Sequence, residues 1–238
     1  MTFEEKYKIG IEDITKKYEA TNKAMLSCLE NIACTHASSL GFSPTNLNEK
    51  GLVWILLNWK IKIIKRPLYN EEIKVRTWSR KIDRVAAFRD FEVYGVDGNL
   101  CAIGTSRWFL MDFETRKPVR ITDELSKAYD SELDRHVFET EIEKIIEPKE
   151  YIRESEYLVM RRDIDMNNHV HNLNYLDIAY EMLPEEVYRE KTFNNIKIEY
   201  KKEIKYGDKV KCYYSVDGDN HIVTLKVDEK VSALIVLS

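Results

Sequence analysis

Apolar residues recur with a helical period in one stretch of the first 120 residues and with a strand period in several others. Residues 20–40 carry one apolar side and are followed by Gly41 and the Ser43-Pro44 turn, which predicts a long helix. Strands are expected on both sides of this helix, at residues 4–14, 51–64, 71–83, 86–96 and 100–112. The first part of the chain is therefore predicted to be one strand, one helix and a meander of strands.

The same order of elements returns after residue 150. A strand is expected at 151–164 and a helix at 168–183, with further strands at 193–204, 208–216, 220–228 and 231–237. The acidic stretch before this second set closes at Pro148 and is predicted to be a connection with some helix. We therefore expect an N-terminal unit at 1–120, a connecting segment at 121–150 and a C-terminal unit at 151–238.

The two units also align with each other residue by residue. Residues 58–73 match 195–210 without a gap at an offset of 137, and residues 7–22 match 157–172 at an offset of 150. A chance likeness between two strand-rich stretches is the alternative explanation. A true duplication predicts that one framework is built twice.

The fold class expected from this order is α+β. Apolar residues cover most of the circumference of the predicted helix at 169–183, as expected for a helix that is buried on several sides. One such helix followed by a meander of strands, present twice, predicts two fused hotdog units. In each unit a curved antiparallel sheet would wrap round a long helix.

Composition narrows the classes of protein that need to be considered. The chain has 37 Lys and Arg against 41 Asp and Glu, and this net charge of −4 argues against a general nucleic-acid binder. No apolar run approaches the ~20 residues of a membrane span, and a cytoplasmic location is expected. The four cysteines have no metal-ligand spacing, so reduced thiols and no zinc site are predicted. Residues 51–120, with 14 basic and 8 acidic side chains, suggest either a basic docking face or a solvated sheet face.

Side chains suited to catalysis cluster in the second unit only. Asp165, Asn167 and His169 stand at alternate positions before the predicted helix, which is typical of a catalytic turn, although Asp and Asn there are also common helix caps. At the offset of 150, the first unit has Thr15, Lys17 and Glu19 at the equivalent positions. One unit is therefore predicted to be catalytic and the other not.

Two segments of the second unit resemble motifs of the acyl-ACP thioesterase family. Residues 163–175, Asp-Ile-Asp-Met-Asn-Asn-His-Val-His-Asn-Leu-Asn-Tyr, are similar to its D-x-N-x-H-V-N-N-x-x-Y signature, and Glu199-Tyr-Lys-Lys-Glu203 is similar to its E-Y-R-R-E. In the first unit, the segment from Ser106 to Arg120 resembles a further landmark of the family. The likeness extends over roughly residues 5–230. It implies hydrolysis of the thioester between a fatty acyl chain and acyl carrier protein (ACP), with no metal and no cofactor.

The chain departs from the family pattern at two positions. Ile204 stands where the second motif usually ends in Cys, and the next thiol along the chain is Cys212. Hydrolysis by an activated water is therefore favoured over a nucleophilic cysteine. His171 stands where the family usually has Asn, and it is expected either to tune the site or to cap a helix.

The resemblance assigns a role to each site residue. Glu203 is the candidate general base, His169 orients water or passes a proton, Asn167 donates from its amide, and Asp165 holds the turn or acts as the base itself. Amides in the first turn of the helix at 169–183 are expected to hold the oxyanion. Strict alternation along 196–204 would place Glu203 on the polar face of its strand unless a bulge at Lys201-Lys202 turns it inward.

The remaining expectations concern substrate and partners. Four apolar residues of the first helix, Met25, Leu29, Ile32 and Ala33, are predicted to line the pocket for the acyl chain. Acyl-ACP is the expected partner, and the protein is expected to be a monomer or a homodimer. An acyl-CoA thioesterase of the same fold and a non-catalytic acyl-binding hotdog protein are the alternatives.

Overall fold

The structure is a computed structural model that describes residues 1–238, and these form two compact units. Unit 1 comprises Met1–Ile142 and unit 2 comprises Glu143–Ser238. Residues 121–142, which the sequence assigned to the connecting segment, thus lie in unit 1. No helix in either unit is both long and apolar enough to cross a membrane.

Unit 1 is an antiparallel five-stranded sheet with three helices. Its strands are β1 (Phe3–Lys8), β2 (Leu52–Ile63), β3 (Glu72–Ile82), β4 (Ala86–Tyr94) and β5 (Leu100–Asp112), in the spatial order β1-β3-β4-β5-β2. Its helices are α1 (Asn22–Ser39), α2 (Pro44–Glu49) and α3 (Asp123–Tyr129). The expected long helix is present, whereas α2 occupies a segment for which a turn was expected.

Helix α1 packs closely against the sheet of unit 1. Its N-cap is Thr21, whose Oγ1 accepts a hydrogen bond from the Ala24 amide at 3.0 Å. A Cβ atom built on Gly104 of β5 would lie only 2.9 Å from Cδ1 of Leu29. A side chain at position 104 would therefore require Leu29 to shift, and glycine allows helix and sheet to meet without that shift.

Unit 2 repeats this plan with a shorter helix. Its strands are β6 (Arg153–Leu158), β7 (Asn195–Tyr200), β8 (Lys209–Asp217), β9 (Asn220–Val227) and β10 (Lys230–Leu237), in the order β7-β10-β9-β8-β6. Its helices are α4 (Asn174–Glu181) and α5 (Glu185–Glu190). Leu176, Ile178 and Ala179 of α4 are buried, as the apolar pattern predicted.

The predicted boundaries of three elements in unit 2 are wrong. The strand expected at 151–164 ends at Leu158 and is followed by a 3-10 turn. The helix expected at 168–183 begins only at Asn174, because the residues before it use their amides in a turn. The strand expected at 193–204 ends at Tyr200. Beyond that residue the amides of Lys201 and Lys202 both donate to the Ser232 carbonyl, at 2.8 and 3.1 Å, and this interrupts regular strand pairing.

The internal repeat is confirmed at the level of backbone structure. β6 lies at an offset of 150 from β1, and the short 3-10 turn Arg161–Asp163 lies at the same offset from its counterpart Ile11–Asp13. The amides of Ile64 and Lys65 share the Cys101 carbonyl, just as those of Lys201 and Lys202 share Ser232. The matching residues therefore build matching structure, including the irregularities.

Candidate functional site

Asp165, Asn167 and His169 lie on a tight turn between the 3-10 turn and α4. The Asp165 amide donates to the His169 carbonyl at 2.8 Å, and the Asn168 amide donates to the Asp165 carbonyl at 3.1 Å. Asn168 has φ 62°, in the left-handed region that Asn tolerates better than most residues. These two hydrogen bonds close the turn.

The Asp165 carboxylate holds this turn together. Its Oδ1 accepts from the backbone amides of Asn167 at 2.8 Å and of His169 at 3.3 Å. Its Oδ2 lies 3.5 Å from the side-chain nitrogen of Asn167. These contacts show a side chain that organises its neighbours, which is the cap-like role expected of an Asp in such a turn.

Glu203 lies directly beside His169. The distance between His169 Nε2 and Glu203 Oε2 is 3.0 Å, and the two side chains are 17% and 33% exposed. Backbone pairing creates this contact, because the Val170 amide donates to the Ile204 carbonyl at 2.8 Å and His169 pairs with Lys205. Glu203 lies beyond the end of β7, so the in-and-out alternation of strand side chains does not determine its direction. The structure is consistent with the expected bulge at Lys201-Lys202 and not with strict alternation.

The expected oxyanion donors at residues 169–171 are already used within unit 2. The His169 amide donates to Asp165, the Val170 amide to Ile204, and the His171 amide to the Asp163 carbonyl at 2.8 Å. The expectation that the first turn of a helix beginning at 169 offers these amides is therefore wrong. The amide of Asn172, the next residue along the chain, is not one of these three donors.

His171 makes two hydrogen bonds at the start of α4. Its Nδ1 accepts from the Leu173 amide at 3.3 Å, and the Asn174 amide donates to its carbonyl at 2.8 Å. The first of these bonds is to the amide of the N-cap residue itself, and both roles considered for this departure from the family pattern stay predictions.

Two tyrosines that the sequence analysis gave no role also adjoin the turn. The Tyr200 hydroxyl donates to the Asn172 carbonyl at 2.9 Å, and its ring meets the ring of Tyr175 edge to face, with centroids 5.1 Å apart. Burial holds the pKa of Tyr175 well above its usual value. Both tyrosines belong to the motif segments, but only the fold brings the end of β7 next to the start of α4.

The cysteine positions do not offer a reactive thiolate beside this turn. Ile204 is fully buried, and Cys212 is buried within β8. Burial raises the pKa of the Cys212 thiol to about 12, so the thiol is protonated near neutral pH. No group of three or more His, Cys, Asp or Glu side chains is arranged to bind a metal ion.

The four residues expected to line an acyl pocket lie on α1 of unit 1, and all are buried. Met25, Leu29, Ile32 and Ala33 are each at most 6% exposed. Leu29 fills the contact with Gly104, so at least this side chain takes part in packing the helix onto the sheet.

Two family models match the chain. The model of the acyl-ACP thioesterase N-terminal domain covers residues 1–129, and that of the C-terminal domain covers residues 146–233. Among curated relatives, oleoyl-acyl carrier protein thioesterases 1 and 2 of Arabidopsis thaliana, both chloroplastic, are 26% and 25% identical over 227 and 240 residues, or 88% and 94% of this chain. The chain spans only 62% and 65% of the length of these two relatives.

Solved structures share the fold over nearly the whole chain. A putative oleoyl thioesterase from Lactobacillus plantarum matches with a TM-score of 0.88 at 23% identity, covering 100% of this chain and 95% of that one. An acyl-ACP thioesterase from Bacteroides thetaiotaomicron matches with 0.89 at 22%, covering 99% and 96%. The expected fold class, α+β with two fused hotdog units, is confirmed, with the difference that the helix of unit 2 is short.

Proposed function

This chain belongs to the acyl-ACP thioesterase family, and from that premise we propose that it hydrolyses fatty acyl-ACP to free fatty acid and ACP. The contact of 3.0 Å between His169 Nε2 and Glu203 Oε2 carries this proposal. It pairs a carboxylate with an imidazole at the surface of unit 2, next to a turn that supplies an amide side chain. A general base that is positioned in this way contributes ~10²–10⁴ to a rate.

In the proposed reaction, water is the nucleophile. Glu203 takes one proton from the water while the water oxygen attacks the thioester carbonyl carbon. His169 orients both Glu203 and the water. Asn167 donates from its amide to the carbonyl oxygen or to the water, and Asp165 keeps the turn in shape. The carbon–sulfur bond then breaks, and the leaving thiolate of the carrier takes up the proton from Glu203.

A cysteine nucleophile is disfavoured by the residues themselves. The family position that usually holds Cys is Ile204, and Cys212 is a buried, protonated thiol. The use of Glu203 rather than Asp165 as the base is supported by the contacts of Asp165, whose Oδ1 already accepts two backbone amides.

We further propose that unit 1 selects the acyl chain. The support is the buried apolar set on α1, Met25, Leu29, Ile32 and Ala33, in the unit that lacks the catalytic side chains. Each buried methylene of an acyl chain is worth about 0.8 kcal/mol, so an apolar cleft can discriminate chain length. A cytoplasmic location is proposed on the basis of the four cysteines, all of which are free thiols.

The test is hydrolysis of a panel of acyl-ACPs and of matched acyl-CoAs. The proposal expects release of fatty acid with a higher kcat/KM for the ACP thioesters. A preference for acyl-CoA would favour the acyl-CoA thioesterase alternative. Tight binding of acyl-ACP without turnover would identify a non-catalytic acyl-binding protein.

A further inference from the structure

Four exposed basic side chains lie on the two segments of unit 2 that flank the His169–Glu203 pair. We call this set the basic rim, and it consists of Arg161, Arg162, Lys202 and Lys205. Arg161 and Arg162 form the 3-10 turn that leads into the catalytic turn, Lys202 directly precedes Glu203, and Lys205 pairs with His169 through the backbone. The rim therefore comes from two segments that meet at the proposed site.

Apolar side chains are exposed among these charges. Met166, at the tip of the catalytic turn, is 78% exposed, and Tyr206, which follows Lys205, is 58% exposed. The guanidinium carbon of Arg161 lies 5.9 Å from the centre of the Tyr206 ring, which ties the two segments into one surface. Exposed Met and aromatic side chains within a charged surround are typical of a protein-binding surface.

The equivalent surface of unit 1 has a different character. Ile11 and Glu12 stand in the places of Arg161 and Arg162, and Leu68 stands in the place of Lys205. Lys65, the counterpart of Lys202, is paired with Asp97 at 2.9 Å. Unit 1 instead has two exposed lysines, Lys16 and Lys17, at the tip of its turn, where unit 2 has Met166 and Asn167.

We propose that the basic rim, together with Met166 and Tyr206, is the surface on which an acidic carrier protein docks. This inference rests on the proposed function, which makes a carrier-bound thioester the substrate. A protein surface can contact separated charges and the apolar side chains between them at once, whereas a lone phosphate group needs donors that converge on one point. Docking here would bring the carrier's thioester directly to His169 and Glu203.

The rim is an alternative to the docking face expected at residues 51–120. There, Lys65 is engaged by Asp97, and Arg66 donates to the Ala20 carbonyl at 2.8 Å and to the Asn22 side-chain oxygen at 2.7 Å. Two of the basic side chains of that stretch are thus engaged in contacts within unit 1.

The test compares two double charge reversals in the full chain. Arg161→Glu/Lys205→Glu alters the rim and leaves Lys202, which directly precedes Glu203, in place. Lys16→Glu/Lys17→Glu makes the same change in net charge on unit 1 and is the control. We would measure the Kd for ACP without an acyl group and the KM for acyl-ACP across a range of salt concentrations. The rim variant is expected to raise both constants by about tenfold or more, about 1.4 kcal/mol, and to flatten their salt dependence. The control variant should leave them within about twofold of the wild type.

Three outcomes would overturn the docking surface. The first is an unchanged Kd in the rim variant, and the second is an equal rise in the control variant. The third concerns inhibition of hydrolysis by free CoA. If the rim variant weakens this inhibition by the same factor as it weakens ACP binding, the rim binds phosphate groups and not a protein. If the reversed variant does not fold, Arg161→Gln/Lys205→Gln provides the same comparison with a smaller change. A wild-type protein that binds ACP through the rim but hydrolyses no acyl-ACP would refute the proposed function and leave the docking surface standing.

Discussion

The turn of residues 13–20 in unit 1 and the turn of residues 163–170 in unit 2 share one backbone and differ in their side chains. The Thr15 amide donates to the Glu19 carbonyl at 2.8 Å, as the Asp165 amide donates to the His169 carbonyl. Tyr18 and Asn168 both adopt left-handed conformations, with φ 60° and 62°. Thr15 Oγ1 accepts from the Lys17 amide at 3.2 Å, as Asp165 Oδ1 accepts from the Asn167 amide. The turn therefore needs a side-chain oxygen at this first position, but its shape does not require the amide of Asn167 or the imidazole of His169.

The largest contrast lies at the position facing each turn. In unit 1 this position is Arg66, which donates to the Ala20 carbonyl and the Asn22 side chain and thereby ties β2's exit to the start of α1. In unit 2 the equivalent residue is Glu203, which contacts His169. The same location thus fixes structure in one unit and holds a candidate catalytic pair in the other.

Among the positions compared between the two units, replacing His169 should have the largest effect on activity after Glu203. His169→Ala removes the partner of Glu203 and is expected to lower kcat by about 10²–10⁴. Glu19→Ala, at the equivalent position of unit 1, is the matched control and should leave kcat unchanged. Steady-state kinetics on acyl-ACP would decide this, and equal effects of the two variants would remove the distinction between the units.

Replacing Arg66 should lower stability more than activity, the opposite of what is expected for His169. Arg66→Ala deletes two charge-assisted hydrogen bonds and is expected to cost about 2 kcal/mol of stability, with a smaller effect on kcat than His169→Ala. The measurement is denaturant unfolding, with Lys62→Ala on the exposed side of β2 as the control. If Arg66→Ala unfolds at the same denaturant concentration as the wild type, the structural role given to this position is incorrect.

Bulk added to α1 should change chain-length preference by a moderate amount. Ala33→Phe fills space on the buried side of the helix and is expected to shift the preferred acyl chain towards shorter substrates. Asn31→Phe, on the exposed side of the same helix, should leave the profile unchanged. The profile would be read from a panel of acyl-ACPs, with thermal unfolding as a check on folding. An unchanged profile in a folded Ala33→Phe variant would place the acyl pocket elsewhere.

Cysteine replacements should have the smallest effect. Cys212→Ala and Cys34→Ala are expected to remain active, because neither thiol takes part in the proposed reaction. Mass spectrometry of the enzyme quenched during turnover should show no acyl adduct. An acyl group trapped on any cysteine would contradict hydrolysis by water.

The sequence predicted what is local and missed what depends on distant partners. Asp165, Asn167 and His169 were found because they share one short turn, and the repeat was found because its irregularities recur at constant offsets. The start of α4 was misplaced because the amides of Val170 and His171 bond to Ile204 and Asp163, contacts that an apolar pattern does not encode. The position of Glu203 was left open for a related reason, since Ser232 breaks the strand alternation just before it.

The central claim is that Glu203, paired with His169, activates the water. Kinetics of Glu203→Ala on acyl-ACP test it most directly, together with the double variant Glu203→Ala/His169→Ala. The account predicts a fall in kcat of about 10²–10⁴ with unchanged thermal unfolding, and a double variant whose loss is smaller than the product of the two single losses. A Glu203→Ala enzyme with near wild-type kcat would contradict the account and make Asp165 the base.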